Sequence, residues 1–366
     1  MLARDLAGYP TPSLHVDAPV VRRNIERMAR YAQSQGLLLR PHTKTHKSLR
    51  IAEMQLLAGA CGLTVAKVGE AEVMAEVCRD ILLAYPTVDM HRCQRVAQLA
   101  HRITMRVALD SELAAANLQR AAAEAGATVG VLVDVDLGYG RTGVQSDDAA
   151  LQLAGFIKKA PSLRLDGIMT YTGHVSGGDA EQQAAFQRVE VRLAGLLARW
   201  RDAGFSTDVI SGGSTPSALH CHLARYFTEI RPGTYIYNDM NTVRGGYCTL
   251  DDCAARVLAT VVSDTVPGQV VLDCGSKTLT SDRCGPAPDS GHGYILEYPE
   301  ARIAKLTEEH AQVDVSRCAR RPVLGEQVAI VPNHICVCVN MQQSLWWHDG
   351  EDVHEPMPVD ARGLLV

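Results

Sequence analysis

A chain of 366 residues, 46% hydrophobic and 21% charged, has the makeup of an ordinary folded protein, large enough for one barrel-sized unit with an addition or for two domains. A net charge of -5, with only four Phe and three Trp, gives no electrostatic or stacking basis for binding nucleic acid or an anionic membrane. No apolar run reaches transmembrane length, and the opening Met1-Leu2-Ala3-Arg4-Asp5 lacks the apolar core of a secretory signal, so a cytoplasmic address is expected. The eleven cysteines are scattered and odd in number, which reads as buried small hydrophobes and not as a disulfide framework.

Residues 12–17 alternate apolar and polar, as a short strand does, and Asp17 is placed to cap a helix with Val21, Ile25 and Met28 on one face. Apolar runs suited to buried strands follow at 37–39, 63–66, 81–84, 103–109, 129–135, 165–169, 207–210 and, weakly, 229–230. Stretches between them, such as 48–57, 111–125 and 180–203, read as helices. Eight strands alternating with helices imply parallel, right-handed βα units and predict an α/β fold, a (β/α)8 TIM barrel. A doubly wound open sheet needs fewer strands and a Gly-rich first turn, and no G-x-G-x-x-G follows Leu39. From about Asp252 the pattern changes to short Val- and Ile-rich runs at 257–262, 269–273, 294–297, 302–306, 327–331 and 345–347. These predict a C-terminal all-β domain. The expected division is a barrel over 12–248 and a β domain over 249–366, joined by N-terminal residues 1–17.

Active residues of such a barrel lie at the C-terminal ends of its strands. The first run breaks at Pro41 and opens into His42-Thr43-Lys44-Thr45-His46-Lys47. A lysine at a buried strand end loses solvation, its pKa falls, and it becomes an amine nucleophile at neutral pH. A solvated basic loop is the alternative. Later strand ends deliver Gly138-Tyr139-Gly140-Arg141-Thr142-Gly143, Tyr171-Thr172-Gly173-His174, Ser211-Gly212-Gly213-Ser214-Thr215 and Arg231-Pro232-Gly233-Thr234-Tyr235. The last two combine small residues with hydroxyls, after strands seven and eight, where barrels often hold phosphate. An ordinary turn is the other reading of Ser211 to Thr215. A lysine nucleophile and a phosphate site on one rim point to pyridoxal 5'-phosphate, held by Lys44 as a Schiff base. In the β segment, Pro332-Asn333-His334-Ile335-Cys336 places His334 and Cys336 on one face if it is strand, a site for a divalent metal such as Zn. A satisfied histidine beside a buried cysteine is the alternative, and Cys338 reads as core.

Seven motifs now stand in one order: Arg40-Pro41-His42-Thr43-Lys44-Thr45-His46-Lys47, Gly69-Glu70-Ala71-Glu72, Gly140-Arg141-Thr142-Gly143, Ser211-Gly212-Gly213-Ser214-Thr215-Pro216, Arg231-Pro232-Gly233-Thr234-Tyr235, Asp273-Cys274-Gly275-Ser276-Lys277 and Pro332-Asn333-His334-Ile335-Cys336. With them nearly the whole chain resembles the fold-type III pyridoxal-phosphate enzymes, which have an alanine-racemase-like barrel and a C-terminal β domain. Within that group it is most similar to the D-threonine aldolase and eukaryotic-type D-serine dehydratase branch. The resemblance implies that Lys44 carries the cofactor and then removes the substrate's α-proton, with His42 in the cofactor-binding set. It implies that Tyr171 packs on the cofactor ring and that Arg141 lies near the phenolic oxygen. Gly213, Ser214, Thr215, Gly233 and Thr234 match the phosphate site, with Tyr235 beside them, and Arg231 falls where the racemases face the pyridine nitrogen. His334 and Cys336 match a divalent-metal pair, for Zn or for Mn, Mg or Co. His174 is a catalytic candidate, as a base, a supporting group or a structural residue.

The implied activity is that of a lyase on D-3-hydroxy-amino acids, working as a homodimer. Aldolases of the branch resemble His-x-Asp at the metal pair and the dehydratases His-x-Cys. The cysteine here leans towards dehydration, of the D-serine or D-threo-3-hydroxyaspartate type, to a keto acid and ammonia. Retro-aldol cleavage to glycine and an aldehyde is the alternative. An amino-acid racemase, with Tyr294 as a second acid/base, is a further one.

Overall fold

Each of the eight apolar runs forms a strand in the computed structural model, which describes residues 1–350 and 354–366. After Ser13–Asp17 (β1) come Leu38–Leu39 (β2), Leu63–Val65 (β3), Asp80–Leu83 (β4), Thr104–Leu109 (β5), Val129–Asp134 (β6), Leu163–Met169 (β7), Val209–Gly212 (β8) and Glu229–Ile230 (β9). β2 to β9 form one all-parallel sheet in the order β2-β9-β8-β7-β6-β5-β4-β3. Its ends meet at the parallel bridge His42↔Thr64 and at two backbone hydrogen bonds of 2.9 Å, Cys61 N–H to the Leu39 carbonyl and Thr64 N–H to the Pro41 carbonyl. The predicted barrel is therefore present. Helices cover its strands, which is why β6 is buried at every position and reads as an unbroken apolar run. The helix Glu112–Ala125 shows how local sequence sets the spacing. Ser111 Oγ accepts the Ala114 N–H at 3.4 Å to start it, and Gly126 stops it in the left-handed region at φ +67°.

One layer of this unit is held by charge. Arg40 donates to Glu229 at 2.8 Å and to Asp80 at 2.6 Å, Arg106 bridges Asp80 and Asp166, and Arg164 closes on Asp166 at 2.5 Å. Each carboxylate meets at least two donors, as a buried charge requires.

The second unit comprises Met1–Asn24, Thr45–Lys47 and Thr234–Gly363; the barrel unit takes Ile25–Lys44, Ser48–Gly233 and Leu364–Val366. Its strands are β1, Ala255–Ser263 (β10), Gln269–Leu272 (β11), Gly293–Ile295 (β12), Arg302–Leu306 (β13), Ala311–Asp314 (β14), Gln327–Pro332 (β15), Ser344–His348 (β16) and His354–Pro358 (β17). They run in the order β13-β14-β11-β10-β1-β16-β17, with β15 paired to both β10 and β12. β1 lies antiparallel to β10 and parallel to β16. Two strands escape the sequence reading. β14 has only four residues, and β17 carries Pro356 and Pro358, which only an edge position tolerates.

The segment after Pro332 needs correcting. β15 ends at Pro332 and a helix, Ile335–Met341, begins three residues later with His334 as its N-cap. His334 and Cys336 therefore do not share the face of a strand. Pro332 lacks the N–H needed to extend the ladder, and the Asp239 carboxylate receives the Ile335 N–H at 3.1 Å, which starts the helix. Cys338 is buried, as core. All eleven cysteines are free thiols and eight of them are buried. Among the described residues no helix is long and apolar enough to cross a membrane.

Candidate active site

In the barrel unit, Lys44 follows β2 on a single 3-10 turn, Thr43–Thr45. Thr43 is fixed by its hydroxyl, which donates to the Thr64 carbonyl at 3.2 Å, and the Lys44 N–H donates to His42 Nδ1 at 3.4 Å. Lys44 itself is exposed while Thr43, Thr45, His46 and Lys47 are buried. Desolvation at a buried strand end, the expectation for this lysine, is not what the structure shows: the turn carries the side chain out of the buried layer.

Arg231 is the opposite case. It is buried at the end of β9, and its two terminal nitrogens donate to Ser211 Oγ at 2.6 Å and to the Thr170 carbonyl at 2.7 Å. Burial pulls its pKa down and the charges of Glu229 and Asp134 oppose that. Ser211 passes its own proton to Glu229 at 2.5 Å, which joins Arg231 to the ion-pair layer through Arg40.

Next to Ser211 the chain forms a cradle. Gly213 sits at φ +82°, and a Cβ there would lie 2.9 Å from Cys221 Sγ, so the position requires glycine. Ser214 Oγ is 3.1 Å from Ser217 Oγ, and the Gly233 N–H donates to Thr215 Oγ1 at 3.2 Å, tying the two predicted phosphate segments together. Hydroxyls and a left-handed glycine that frees neighbouring N–H groups make a concavity suited to an anion.

The Arg141 guanidinium lies 4.5 Å from the centre of the Tyr171 ring and 5.1 Å from that of Tyr139, and the two rings meet edge-on at 4.7 Å. His174 Nδ1 is buried without a hydrogen-bond partner, and burial lowers its pKa. Gly138 lies against the imidazole at a φ of +118°, a backbone conformation that favours glycine. Asp134, at the C-terminal end of β6, escaped the sequence reading. Burial raises its pKa to about 6, although Thr142 Oγ1 donates to it at 2.8 Å and Arg231 opposes the rise. The signal was present: one carboxylate ends the run Val-Leu-Val-Asp, where an unpaired charge is costly. An anion cradle, a buried cation, a tyrosine ring under a guanidinium and an exposed lysine suit an aromatic aldehyde phosphate such as pyridoxal phosphate.

In the other unit lie Thr234, Tyr235, His334 and Cys336. The His334 ring hydrogen-bonds the Cys336 sulfur, which raises the imidazole to about 9 against the effect of burial, with Asp239 and Asp282 adding to the rise. Thr45 Oγ1 stands 3.2 Å and Thr234 Oγ1 3.8 Å from Cys336 Sγ, and Tyr235 is buried beside Thr234 in the chain. Among the described residues no group of three His, Cys, Asp or Glu side chains is placed to hold a metal ion. The chain thus offers one imidazole and one thiolate. A proton held between such a pair is what a divalent cation displaces on binding, so the donor set fits a metal with open positions.

Residues 16–241 match the family model of the alanine racemase N-terminal domain, and residues 254–347 match one described as "Putative serine dehydratase domain". The chain is 33% identical to D-threonine aldolase of Arthrobacter sp, across 98% of this chain and 94% of that protein. It is also 33% identical to D-threo-3-hydroxyaspartate dehydratase of Delftia sp., across 90% and 92% of the two chains. The crystal structure of D-threonine aldolase from Filomicrobium marinum superposes with a TM-score of 0.91 at 32% identity, covering 99% of this chain and 98% of that one. A cysteine-to-alanine mutant of D-threo-3-hydroxyaspartate dehydratase, solved in a metal-free form, superposes with a TM-score of 0.88 at 28% identity, covering 96% and 97%.

Proposed function

We infer, for a chain that belongs to the family of pyridoxal-phosphate-dependent lyases containing D-threonine aldolase and D-threo-3-hydroxyaspartate dehydratase, a lyase reaction on D-3-hydroxy-amino acids, with dehydration to a keto acid and ammonia as the leading reading. The observation that carries it is the pair His334 and Cys336, set two residues apart at the start of one helix. The cysteine is the donor by which dehydratases of the branch differ from its aldolases. Cleavage to glycine and an aldehyde is the second reading, favoured by the similarity to D-threonine aldolase over nearly the whole chain.

Pyridoxal phosphate, when bound, supplies an electron sink for negative charge at the substrate's α-carbon. Lys44 would hold the cofactor, and its amine would accept the α-proton. Gly213, Ser214, Thr215, Gly233 and Thr234 would bind the phosphate, with Tyr235 and His42 supporting the two segments. Arg231 would serve the pyridine nitrogen, Tyr171 the ring and Arg141 the phenolic oxygen. His334 and Cys336 hold a divalent cation, zinc by the borderline softness of the donor pair, which supplies Lewis acidity towards the β-hydroxyl. His174, with one buried nitrogen and no partner for it, is placed to exchange a proton or to orient substrate. The eleven free thiols support a reducing, cytoplasmic setting. A homodimer follows from the resemblance.

The test is product analysis on metal-replete protein given D-serine, D-threonine and D-threo-3-hydroxyaspartate, each with and without EDTA. Keto acid and ammonia, lost with chelator, are expected. Glycine and an aldehyde would establish the aldolase, and chelator-resistant formation of L-amino acid would remove both lyase readings in favour of a racemase. Lys44→Ala is expected to lose turnover together with the absorbance of lysine-bound cofactor.

A further inference from the structure

Asp239 is buried. One of its oxygens accepts the Thr242 N–H at 3.1 Å, and the other accepts the Ile335 N–H at 3.1 Å. The charged neighbour acting on it is His334. Two residues on, the Asn241 N–H donates to the Asn333 carbonyl at 3.2 Å. The segment Asp239-Met240-Asn241 thus grips the backbone on both sides of His334, at residue 333 and at residue 335. Asn333 is pinned from its other end, its side-chain amide donating to the carbonyls of Asp282 at 3.0 Å and Gly291 at 2.7 Å.

A carboxylate taken out of water is costly unless a positive charge or strong donors compensate it. Two backbone N–H groups and a hydroxyl supply those donors to Asp239. Asn238, one residue earlier, donates its side-chain amide to the carbonyls of Tyr235 and Asp252 at 3.2 and 3.1 Å, which keeps the approach to Asp239 rigid. Groups of this kind, which touch a ligand's neighbours and not the metal, commonly set affinity within ten- to a hundredfold.

We propose that Asp239 is a positioning residue for the metal pair: its carboxylate, by receiving the Ile335 N–H, fixes the backbone between His334 and Cys336. The proposal rests on the reading of His334 and Cys336 as metal ligands, and the experiment separates the two. Metal-stripped holoenzyme is titrated with zinc(II) by calorimetry, for the wild type and for Asp239→Asn, Asp239→Ser, His334→Ala and Cys336→Ala, with the unfolding midpoint of each metal-free protein measured alongside. Asparagine keeps the size and one acceptor without the charge. Serine keeps an acceptor for the Thr242 N–H and serves the same comparison should the asparagine variant not fold. The expected result is a zinc affinity about ten- to a hundredfold weaker in the Asp239 variants, with no binding in the two ligand variants. Asp239 variants that bind zinc within twofold of wild type, while His334→Ala does not bind, would overturn the role of Asp239 alone. Zinc binding that survives both His334→Ala and Cys336→Ala would overturn the metal-pair reading and this proposal with it.

Discussion

Lowering the pH from 7 to 5 should weaken the β unit through one buried histidine. His15 on β1 pairs in register with Trp346 on β16, and its Nδ1 lies 2.8 Å from His348 Nε2. The chain of contacts continues from His348 Nδ1 to His354 Nδ1 at 2.8 Å, and at the other end Ser13 Oγ is 2.8 Å from His15 Nε2. The Tyr9 ring stands edge-on to all three imidazoles. Each N···N contact holds one proton, so a second charge on the ladder has nowhere to point. Burial lowers His15 from 6.5 to about 3, with the charge of His348 adding to it. Burial, His354 and the N-terminal amine lower His348 to about 4, with Asp17 opposing. A folded-state pKa below the unfolded one contributes stability that is complete above pH 6.5 and is lost as the pH falls towards 3. From pH 6.5 down to 5, neutral His15 gives up about 2 kcal/mol, at about 1.4 kcal/mol per pH unit. Urea unfolding in a Trp200→Phe background, followed by the fluorescence of Trp346 and Trp347, reads this unit locally. Wild type should lose about 2 kcal/mol more than His15→Gln between pH 7 and 5, because glutamine keeps a hydrogen-bonding side chain without titrating. Equal losses in the two proteins would refute the reasoning.

Gly213→Ala should weaken pyridoxal-phosphate binding at least tenfold, since the left-handed backbone costs about 1–2 kcal/mol for a non-glycine residue and the methyl meets the Cys221 sulfur. Adding Cys221→Ala should relieve the contact and not the backbone term; an absorbance titration that finds unchanged cofactor affinity in Gly213→Ala would remove this glycine from the phosphate site. Glu229→Gln should cost about 3 kcal/mol of unfolding free energy, because it leaves the buried guanidinium of Arg40 with Asp80 as its one remaining carboxylate partner. Arg164→Gln, at the half-exposed end of the same layer, should cost less than about 1 kcal/mol. Similar losses in both variants, in parallel denaturation curves, would mean that the layer's energy does not follow its burial.

The sequence by itself determined the order of elements, and its motifs nominated the site residues. Buried parallel strands read as unbroken apolar runs, and caps such as Ser111 and Gly126 act within a few residues, so both are properties of chain neighbours. The motif order was enough to single out Lys44, Gly213 and His334. Tertiary structure alone decided the environments. Arg40 and Glu229 are 189 residues apart in the chain, and Asp239 and Ile335 are 96 apart. No local pattern carries that information, because strand register and the packing of turns bring such pairs together. For the same reason Lys44, read as desolvated from the strand before it, is exposed on its turn. Cys336, read as strand from its spacing, opens a helix because a carboxylate from a distant segment receives the first N–H. Periodicity reports which side chains leave water; the partners that a charge or a helix end finds there are set by segments far away in the chain.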